Sequence, residues 1–244
     1  MIKSFSQWLT ETELGRYLLE REMAYFDRAV ADAFGYHAVQ IGVPQVDFLR
    51  ENRIPWQCRV GLGAEAQVAC EPGQLPFAAR SLDLLVLPHA LDFTPHPHLV
   101  LREAERVLVP EGRLVLTGFN PVSLWGVRRL IQGRFRTPWN GNFLPLLRLK
   151  DWLALLALEP DGGAFMGYAP PFERAQWMEN CDFMESAGDR WWPLAAGVYG
   201  IEAVKRQRGM HLITPNWRPA KSRLMVAGGK NRHQPVSKQS DETA

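Results

Sequence analysis

Stretches of apolar and polar residues predict helices and strands in turn along the chain. From Thr10 to about Phe34 the apolar residues recur every three or four positions, which predicts a helix. Thr10 and Glu13 have the spacing of a capping box at the start of that helix. Short apolar runs bounded by glycine and proline follow, and each predicts a strand. These runs are Ala38 to Val43, Gln57 to Leu62, Gln67 to Cys70, Leu82 to Leu87 and Arg113 to Thr117.

One strand-helix-strand unit indicates the fold class. Leu82 to Leu87 is apolar almost throughout, which is typical of a central parallel strand covered on both faces. Pro97 to Leu108 is apolar on one face and charged on the other, which predicts a crossover helix before the strand Arg113 to Thr117. Further on, Lys150 to Leu158 predicts a helix, and Val198 to Val204 predicts a strand antiparallel at the sheet edge. The sequence therefore predicts an α/β, Rossmann-like, doubly wound fold with a mostly parallel sheet.

The even spread of apolar residues favours one main domain in a chain of 244 residues. We predict an N-terminal helical extension over residues 1–35 and an α/β domain over residues 36–219, with an insert at about 120–150. Residues 221–244 contain five lysines and arginines, two acids and few apolar side chains. A disordered basic tail is therefore predicted over residues 220–244.

Charge and cysteine content narrow the class of protein. A net charge of +2 gives no ground for nucleic acid as an obligate partner. Cys58, Cys70 and Cys181 are far apart and form no C-x-x-C pair, so neither a disulfide framework nor a zinc site is predicted. The start of the sequence has no apolar signal-peptide core, and no stretch reaches the roughly 18 apolar residues of a transmembrane helix. We expect a cytoplasmic protein without a transmembrane segment.

Residues 75–116 carry an ordered set of motif residues. They are Leu75-Pro76-Phe77, Asp83, His89, Arg102-Glu103, Arg106-Val107-Leu108, Pro110 and Gly112. In this order they resemble the type 11 group of class I S-adenosylmethionine-dependent methyltransferases. The resemblance implies the class I methyltransferase fold, S-adenosyl-L-methionine as co-substrate, and methyl transfer to an acceptor that the sequence does not identify.

The resemblance also implies where the methyl donor binds, in the crevice at the carboxyl ends of the parallel strands. Glu71 stands where the family has an acid for the adenine amine, and Leu75 follows it at the donor. Pro72 stands where the family offers a backbone N–H, which proline lacks. After the second predicted strand, Gly63 occupies the place of the acid on the ribose, and Glu65 is a substitute for that acid.

The first glycine-rich motif of the family is degenerate in this chain. Gly42 is the glycine that remains, and Gln40 stands in place of the acid that reaches the donor's amino group. By the same resemblance, the turn Pro88-His89 after the fourth strand borders the donor. The implied cofactor-binding residues are Gln40, Gly42, Gly63, Glu71, Leu75, Pro88 and His89.

His89 is the best candidate for a catalytic residue. Methyl transfer is an in-line displacement that depends mainly on positioning, and an imidazole with a pKa near ~6.5 suits proton removal or a substrate contact. The alternative is a histidine that only caps a loop. Asp92 is a weaker candidate, with a surface residue as its alternative. His96 and His98 lack a third ligand at suitable spacing, so no metal site is predicted.

Two other classes of function compete with an enzyme of this kind. One is a catalytically inactive methyltransferase-fold protein that acts as a binding or scaffold module, through the Trp/Arg-rich stretch from Ser123 to Arg136. The nine tryptophans would line an apolar pocket or, as large aromatics more often do, belong to the core. The other is a Rossmann-like oxidoreductase, which is disfavoured because no G-x-G-x-x-G follows the first strand. The oligomeric state is not predicted.

Overall fold

The computed structural model describes residues 4–63, 65–132, 136–171, 192 and 195–206. The predicted basic tail, Cys181 and Trp191 lie outside the described residues. None of the described helices is long and apolar enough to cross a membrane.

Among the described residues, seven strands, numbered in chain order, form one sheet in the order β3-β2-β1-β4-β5-β7-β6. The strands are β1 (His37–Ile41), β2 (Trp56–Gly61), β3 (Val68–Ala69), β4 (Leu82–Pro88), β5 (Leu108–Phe119), β6 (Leu158–Met166) and β7 (Val198–Lys205). The first five pair in parallel, whereas β7 is antiparallel to both of its neighbours. This arrangement confirms the predicted α/β fold class.

In the described part of the chain, five helices surround the sheet: α1 (Phe5–Glu11), α2 (Glu13–Ala31), α3 (Pro97–Val107), α4 (Leu124–Gln132) and α5 (Leu146–Leu155). The predicted crossover helix is α3, which begins at Pro97, the residue suited to the first helical turn because its missing N–H has no partner there. The unit β4-α3-β5 is therefore confirmed.

The N-terminal helix is two helices, and the prediction of one helix with a Thr10/Glu13 capping box is wrong. Thr12 adopts an extended conformation between them, and its hydroxyl accepts a hydrogen bond from the Gly15 N–H at 3.0 Å. Thr10 lies inside α1, where its hydroxyl donates to the Ser6 carbonyl at 3.0 Å. The capping box is at α1 instead, between Ser4 and Gln7.

The contact between α1 and α2 depends on the absence of a side chain at Gly15. A Cβ there would lie 2.2 Å from the Trp8 carbonyl oxygen and 2.7 Å from the Leu9 Cα, and neither backbone atom can move alone. We expect Gly15→Ala to lower the free energy of unfolding by about 1–3 kcal/mol because the two helices must separate. Urea unfolding followed by circular dichroism measures this change. Arg16→Ala, at an exposed neighbour, should change it by less than about 0.5 kcal/mol; equal effects would contradict the prediction.

The two faces of the sheet bury separate apolar clusters. Leu84 and Val86 of β4 point into the cluster that contains α1, α2 and Trp125 of α4. Leu85 and Leu87 point into the cluster formed with α3 and α5. Because successive strand residues face opposite sides, a strand buried on both sides must be apolar at consecutive positions, as β4 is from Leu84 to Pro88.

Asp83, near the start of β4, ties this strand to β1. Its Oδ2 accepts hydrogen bonds from the backbone N–H groups of Tyr36 at 2.8 Å and His37 at 3.0 Å. The motif aspartate is therefore structural, and it lies at the opposite end of β4 from the turn that carries His89.

The C-terminal part of the sheet differs from the prediction in one strand. The predicted strand from Val198 is β7 and is antiparallel, but it lies between β5 and β6, so β6 occupies the edge. Helix α5 ends at Leu155, before the predicted end at Leu158. Leu158 is instead the first residue of β6. The segment from Glu159 to Gly163 is exposed and contains proline and two glycines, so it lacks the alternation by which strands are identified.

Candidate active site

A cavity of about 450 Å³ opens at the carboxyl ends of the parallel strands. Its size lies within the range of about 300–1,000 Å³ that is usual for small-molecule sites. Its lining comes from the segments that follow β1, β2, β3 and β4, and from helices α1 and α3. The lining residues are Phe5, Ser6, Gly42, Val43, Pro44, Gly61, Leu62, Glu71, Pro72, Gly73, Gln74, Pro88, His89, Ala90, Phe93, Thr94, Pro95, His96 and Leu99.

Two strained turns meet at the centre of this cavity. Gly42 and Val43 follow β1 with φ angles of 92° and 44°, and His89 follows β4 with a φ angle of 51°. A left-handed conformation is costly for a β-branched residue such as Val43 and is frequent at functional sites. A Cβ on Gly42 would lie 3.3 Å from the Pro88 carbonyl oxygen, so the glycine allows the two turns to approach each other.

Gln40 holds the turn after β1 in place from below. Its side-chain amide donates to the carbonyl oxygens of Gly42, Val43 and Val46 at 3.2, 3.1 and 2.8 Å. Its Oε1 accepts the Phe48 N–H at 2.9 Å, and the residue is completely buried. The amide is therefore occupied by the turn and does not line the cavity.

The loop after β3 is fixed to helix α3 by an ion pair. The Leu75 N–H donates to Glu103 at 3.1 Å, and Arg106 donates to the carbonyl oxygens of Leu75 and Phe77 at 3.1 and 2.9 Å. Glu103 and Arg106 pair at 2.8 Å, and the hydrogen bond from Arg106 lowers the pKa of Glu103. The motif residues Glu103 and Arg106 of α3 thus position the loop that begins at Glu71.

The structure brings together four of the predicted site residues, because Gly42, Glu71, Pro88 and His89 all line the cavity. The other predicted residues lie elsewhere. Gln40 is buried beneath the turn that it holds, and Leu75 is buried and hydrogen-bonded to α3. Gly63 has a φ angle of 147°, and a Cβ there would meet nothing within 4 Å.

His89 is enclosed by two carboxylates. Its Nδ1 lies 2.7 Å from Asp92 Oδ2, and its Nε2 lies 2.6 Å from Glu22 Oε1 on helix α2. All three side chains are fully buried, and the Phe119 N–H donates to Asp92 at 3.0 Å. We call these three residues the acid-histidine cluster. The alternative that Asp92 is a surface residue is wrong.

The pKa values of the acid-histidine cluster indicate that it retains protons. Burial alone would lower the pKa of His89, but the charges and hydrogen bonds of Glu22 and Asp92 outweigh burial and raise the pKa to about 9. Burial raises the pKa of Asp92, against the opposing effect of the His89 and Phe119 hydrogen bonds. The imidazolium form of His89 is therefore favoured at neutral pH.

Sequence reasoning missed Glu22 and the cavity residues of α1. Glu22 occupies the apolar face of α2, four residues from both Leu18 and Phe26, and a carboxylate at such a position is the signal that would have identified it. Phe5 covers the cavity from α1, with its ring 4.9 Å from His89 and 4.5 Å from Phe93. The N-terminal helices are thus part of the site.

The structure also locates His96, His98 and two of the tryptophans. Within the described ranges, no group of three His, Cys, Asp or Glu side chains is arranged to hold a metal ion. The rings of His96 and His98 are 5.9 Å apart, and His98 is outside the cavity lining. Trp125 and Trp139 belong to the buried core.

The fold and the site define the chain as an α/β protein with its cavity at the carboxyl ends of a sheet of class I methyltransferase topology. Residues 28–116 match the model of the methyltransferase domain family. The match includes β1, β4 and α3, and with them most of the segments that line the cavity.

The chain is similar to one curated relative over part of its length and to two solved structures in its fold. The uncharacterized protein YafS of Escherichia coli K12 is 38% identical over 151 residues, which are 60% of this chain and 61% of that protein. A Thermotoga maritima SAM-dependent methyltransferase, described as a possible histamine N-methyltransferase, is 18% identical with a TM-score of 0.58, over 83% of this chain and 98% of that one. Geranyl diphosphate C-methyltransferase of Streptomyces coelicolor, solved with Mg²⁺, geranyl diphosphate and S-adenosyl-L-homocysteine, is 16% identical with a TM-score of 0.55, over 82% and 81% of the two chains.

Proposed function

We propose that this protein is a methyltransferase that uses S-adenosyl-L-methionine to methylate an acceptor still to be identified. The observation that carries the proposal is the cavity at the carboxyl ends of β1, β2 and β4, which lies where a doubly wound sheet binds its ligand. The methyltransferase domain match over residues 28–116 supports the same activity.

The residues around the cavity fit this donor. Gly42 and Gly61 leave the backbone open to a ligand at the ends of β1 and β2, and their missing side chains enlarge the cavity. Glu71 supplies a carboxylate at the cavity edge, where we place the adenine amine. The apolar residues Leu62 and Leu99 lie in the same lining and provide contacts for a flat ring.

The protein contributes mainly position and exclusion of water. S-Adenosyl-L-methionine supplies a methyl group on a sulfonium, and a neutral thioether leaves when the methyl is transferred. Phe5 and Phe93 lie over the turn that carries His89 and restrict water at that end of the cavity. An acceptor held there in line with the methyl group needs little further catalysis.

His89 contacts this end of the cavity, but it is not a free base. Each of its ring nitrogens is within 2.7 Å of a carboxylate oxygen, so removal of a proton from the acceptor would require one of these bonds to break. The geometry supports His89 as the member of the buried acid-histidine cluster that lies in the cavity wall.

Titration calorimetry with S-adenosylmethionine tests the donor site. We expect binding by the wild-type protein, and about tenfold weaker binding by Glu71→Ala, because a hydrogen bond to a charged group is lost. Glu51→Ala is the control, since Glu51 is an exposed acid that does not line the cavity. Equal affinities for both variants and the wild type would remove Glu71 from the donor site.

A second candidate function is an inactive methyltransferase fold that serves as a binding or scaffold module. The observation that favours it is the position of Gln40, whose buried amide is fully used on the turn and leaves no side chain of β1 for the donor's amino group. If folded protein binds neither S-adenosylmethionine nor S-adenosylhomocysteine at millimolar concentration, this second function replaces the first.

A further inference from the structure

With one proton in each of its two internal hydrogen bonds, the acid-histidine cluster carries one net negative charge. Both nitrogens of His89 face carboxylate oxygens at hydrogen-bond distance, so each of these two bonds requires a proton. A neutral imidazole supplies only one, and the second proton sits either on His89 or on a carboxyl group. Two carboxyl groups and one imidazole with two protons in these bonds have a net charge of −1 in every such arrangement.

No cation in the described part of the chain neutralises this charge. The ion pairs recorded for Glu22 and Asp92 are those with His89, and one oxygen of each carboxylate, Glu22 Oε2 and Asp92 Oδ1, is buried without a hydrogen-bond partner. Two incompletely paired carboxylates in a dry interior are costly, and such an arrangement needs a reason beyond packing. A positively charged ligand next to the cluster would supply that reason.

The charge acts on the cavity through His89. This residue is in the cavity lining, whereas Glu22 and Asp92 lie behind it, on α2 and in the turn after β4. If the adenosine part of the donor lies by Glu71, the sulfur end reaches towards β4, because the cavity extends from the loop after β3 to the turn at His89. The sulfonium of the donor is then the group nearest to the cluster.

We propose that the Glu22–His89–Asp92 cluster determines the specificity of the site for the positively charged sulfonium donor over its neutral thioether product. This inference rests on the proposed function. Donor and product differ by one methyl group and one unit of charge at the sulfur, so a fixed negative charge near the sulfur favours the donor over the product. In a partly desolvated site, one charge at a separation on the order of 10 Å changes affinity roughly tenfold. The cluster thereby favours release of the product after each transfer.

The test compares the affinities of S-adenosylmethionine and S-adenosylhomocysteine by titration calorimetry at pH 7. The double variant Glu22→Gln/Asp92→Asn removes both carboxylates, and neutral His89 can still donate to one amide oxygen and accept from the other amide nitrogen. We expect the wild-type protein to bind S-adenosylmethionine about tenfold more tightly than S-adenosylhomocysteine, and the double variant to lose this preference. Its affinity for S-adenosylhomocysteine should remain within about threefold of the wild type. Glu20→Gln is the control, because Glu20 is an exposed acid on the same helix.

A preference that persists in the folded double variant, or an equal fall in both affinities, would overturn the proposal and leave the cluster a structural role only. Equal affinities of the two ligands for the wild type would also overturn it, and this measurement needs no variant to fold. If the wild type binds neither ligand, the proposed function itself fails, and the specificity role fails with it.

Discussion

The variant His89→Asn should unfold with a free energy about 3–5 kcal/mol lower than that of the wild type at pH 7. Removal of the imidazole leaves Glu22 and Asp92 buried, negatively charged and close to each other. Asparagine suits the test because it tolerates the left-handed conformation of position 89, where φ is 51°. Denaturant unfolding measures the loss, and addition of Glu22→Gln should recover part of it, because one uncompensated charge is removed.

The effect of His89 on stability should depend on pH in a definite direction. The pKa of His89 is raised in the folded protein to about 9, from about 6.5 in an unfolded chain. The stabilisation of the folded state by protonated His89 is therefore complete below pH ~6.5 and is lost as the pH rises through about 9. It amounts to about 3 kcal/mol in total. The difference in unfolding free energy between wild type and His89→Asn should shrink across this interval. A difference that is constant from pH 6 to pH 9.5, or absent at pH 7, would mean that His89 carries no charge in the folded state. His98→Asn, at an exposed histidine, is the control.

Substitution of Gly61 by leucine should reduce the affinity for S-adenosylmethionine on the order of 100-fold or more. A Cβ at this position would contact only Pro44, at 3.5 Å, so the backbone accepts a side chain without strain. Gly61 and Pro44 both line the cavity, and the rest of a leucine side chain must therefore project into the space for the donor. Calorimetric titration measures the loss. A thermal unfolding midpoint close to that of the wild type would establish that the Gly61→Leu variant is folded.

Gly61→Ala provides the graded comparison for this experiment. The single methyl group fits at ordinary contact distance and should weaken binding by less than tenfold. If leucine and alanine have equally small effects, the donor does not pass the end of β2, and the placement of the adenosine part near Glu71 must be abandoned.

The sequence was sufficient for the fold class because its central unit follows local rules. β4 is apolar except at Asp83 and α3 has a clear amphipathic period, so each could be identified without knowledge of its neighbours. The break at Thr12 was not predicted, because the apolar period continues across it. The extended conformation of this one residue does not change the spacing of the apolar residues. β6 was missed because its hydrogen bonds come from β7, some forty residues later, and its exposed side chains need not alternate.

The candidate site was predictable only where backbone geometry determines the residue type. Gly42 and the turn at His89 lie in the cavity because parallel strands end there, and the family resemblance located Glu71 in the loop after β3. The partner of His89 was not predictable in this way. Glu22 is 67 residues from His89, and its burial is a result of how α2 packs on the sheet rather than of any local pattern.

The open edges of the sheet bear on how this protein behaves at high concentration. β3 is only two residues long, and β6 on the other side has Pro160, without an N–H, next to a register shift and two exposed acids, Glu159 and Asp161. A short edge strand, or one interrupted by proline, offers few consecutive hydrogen bonds to a strand from another molecule. Negatively charged side chains on the edge disfavour such pairing further. The strongly apolar strands β4 and β5 are central and shielded, so aggregation through strand addition should require the sheet to open first.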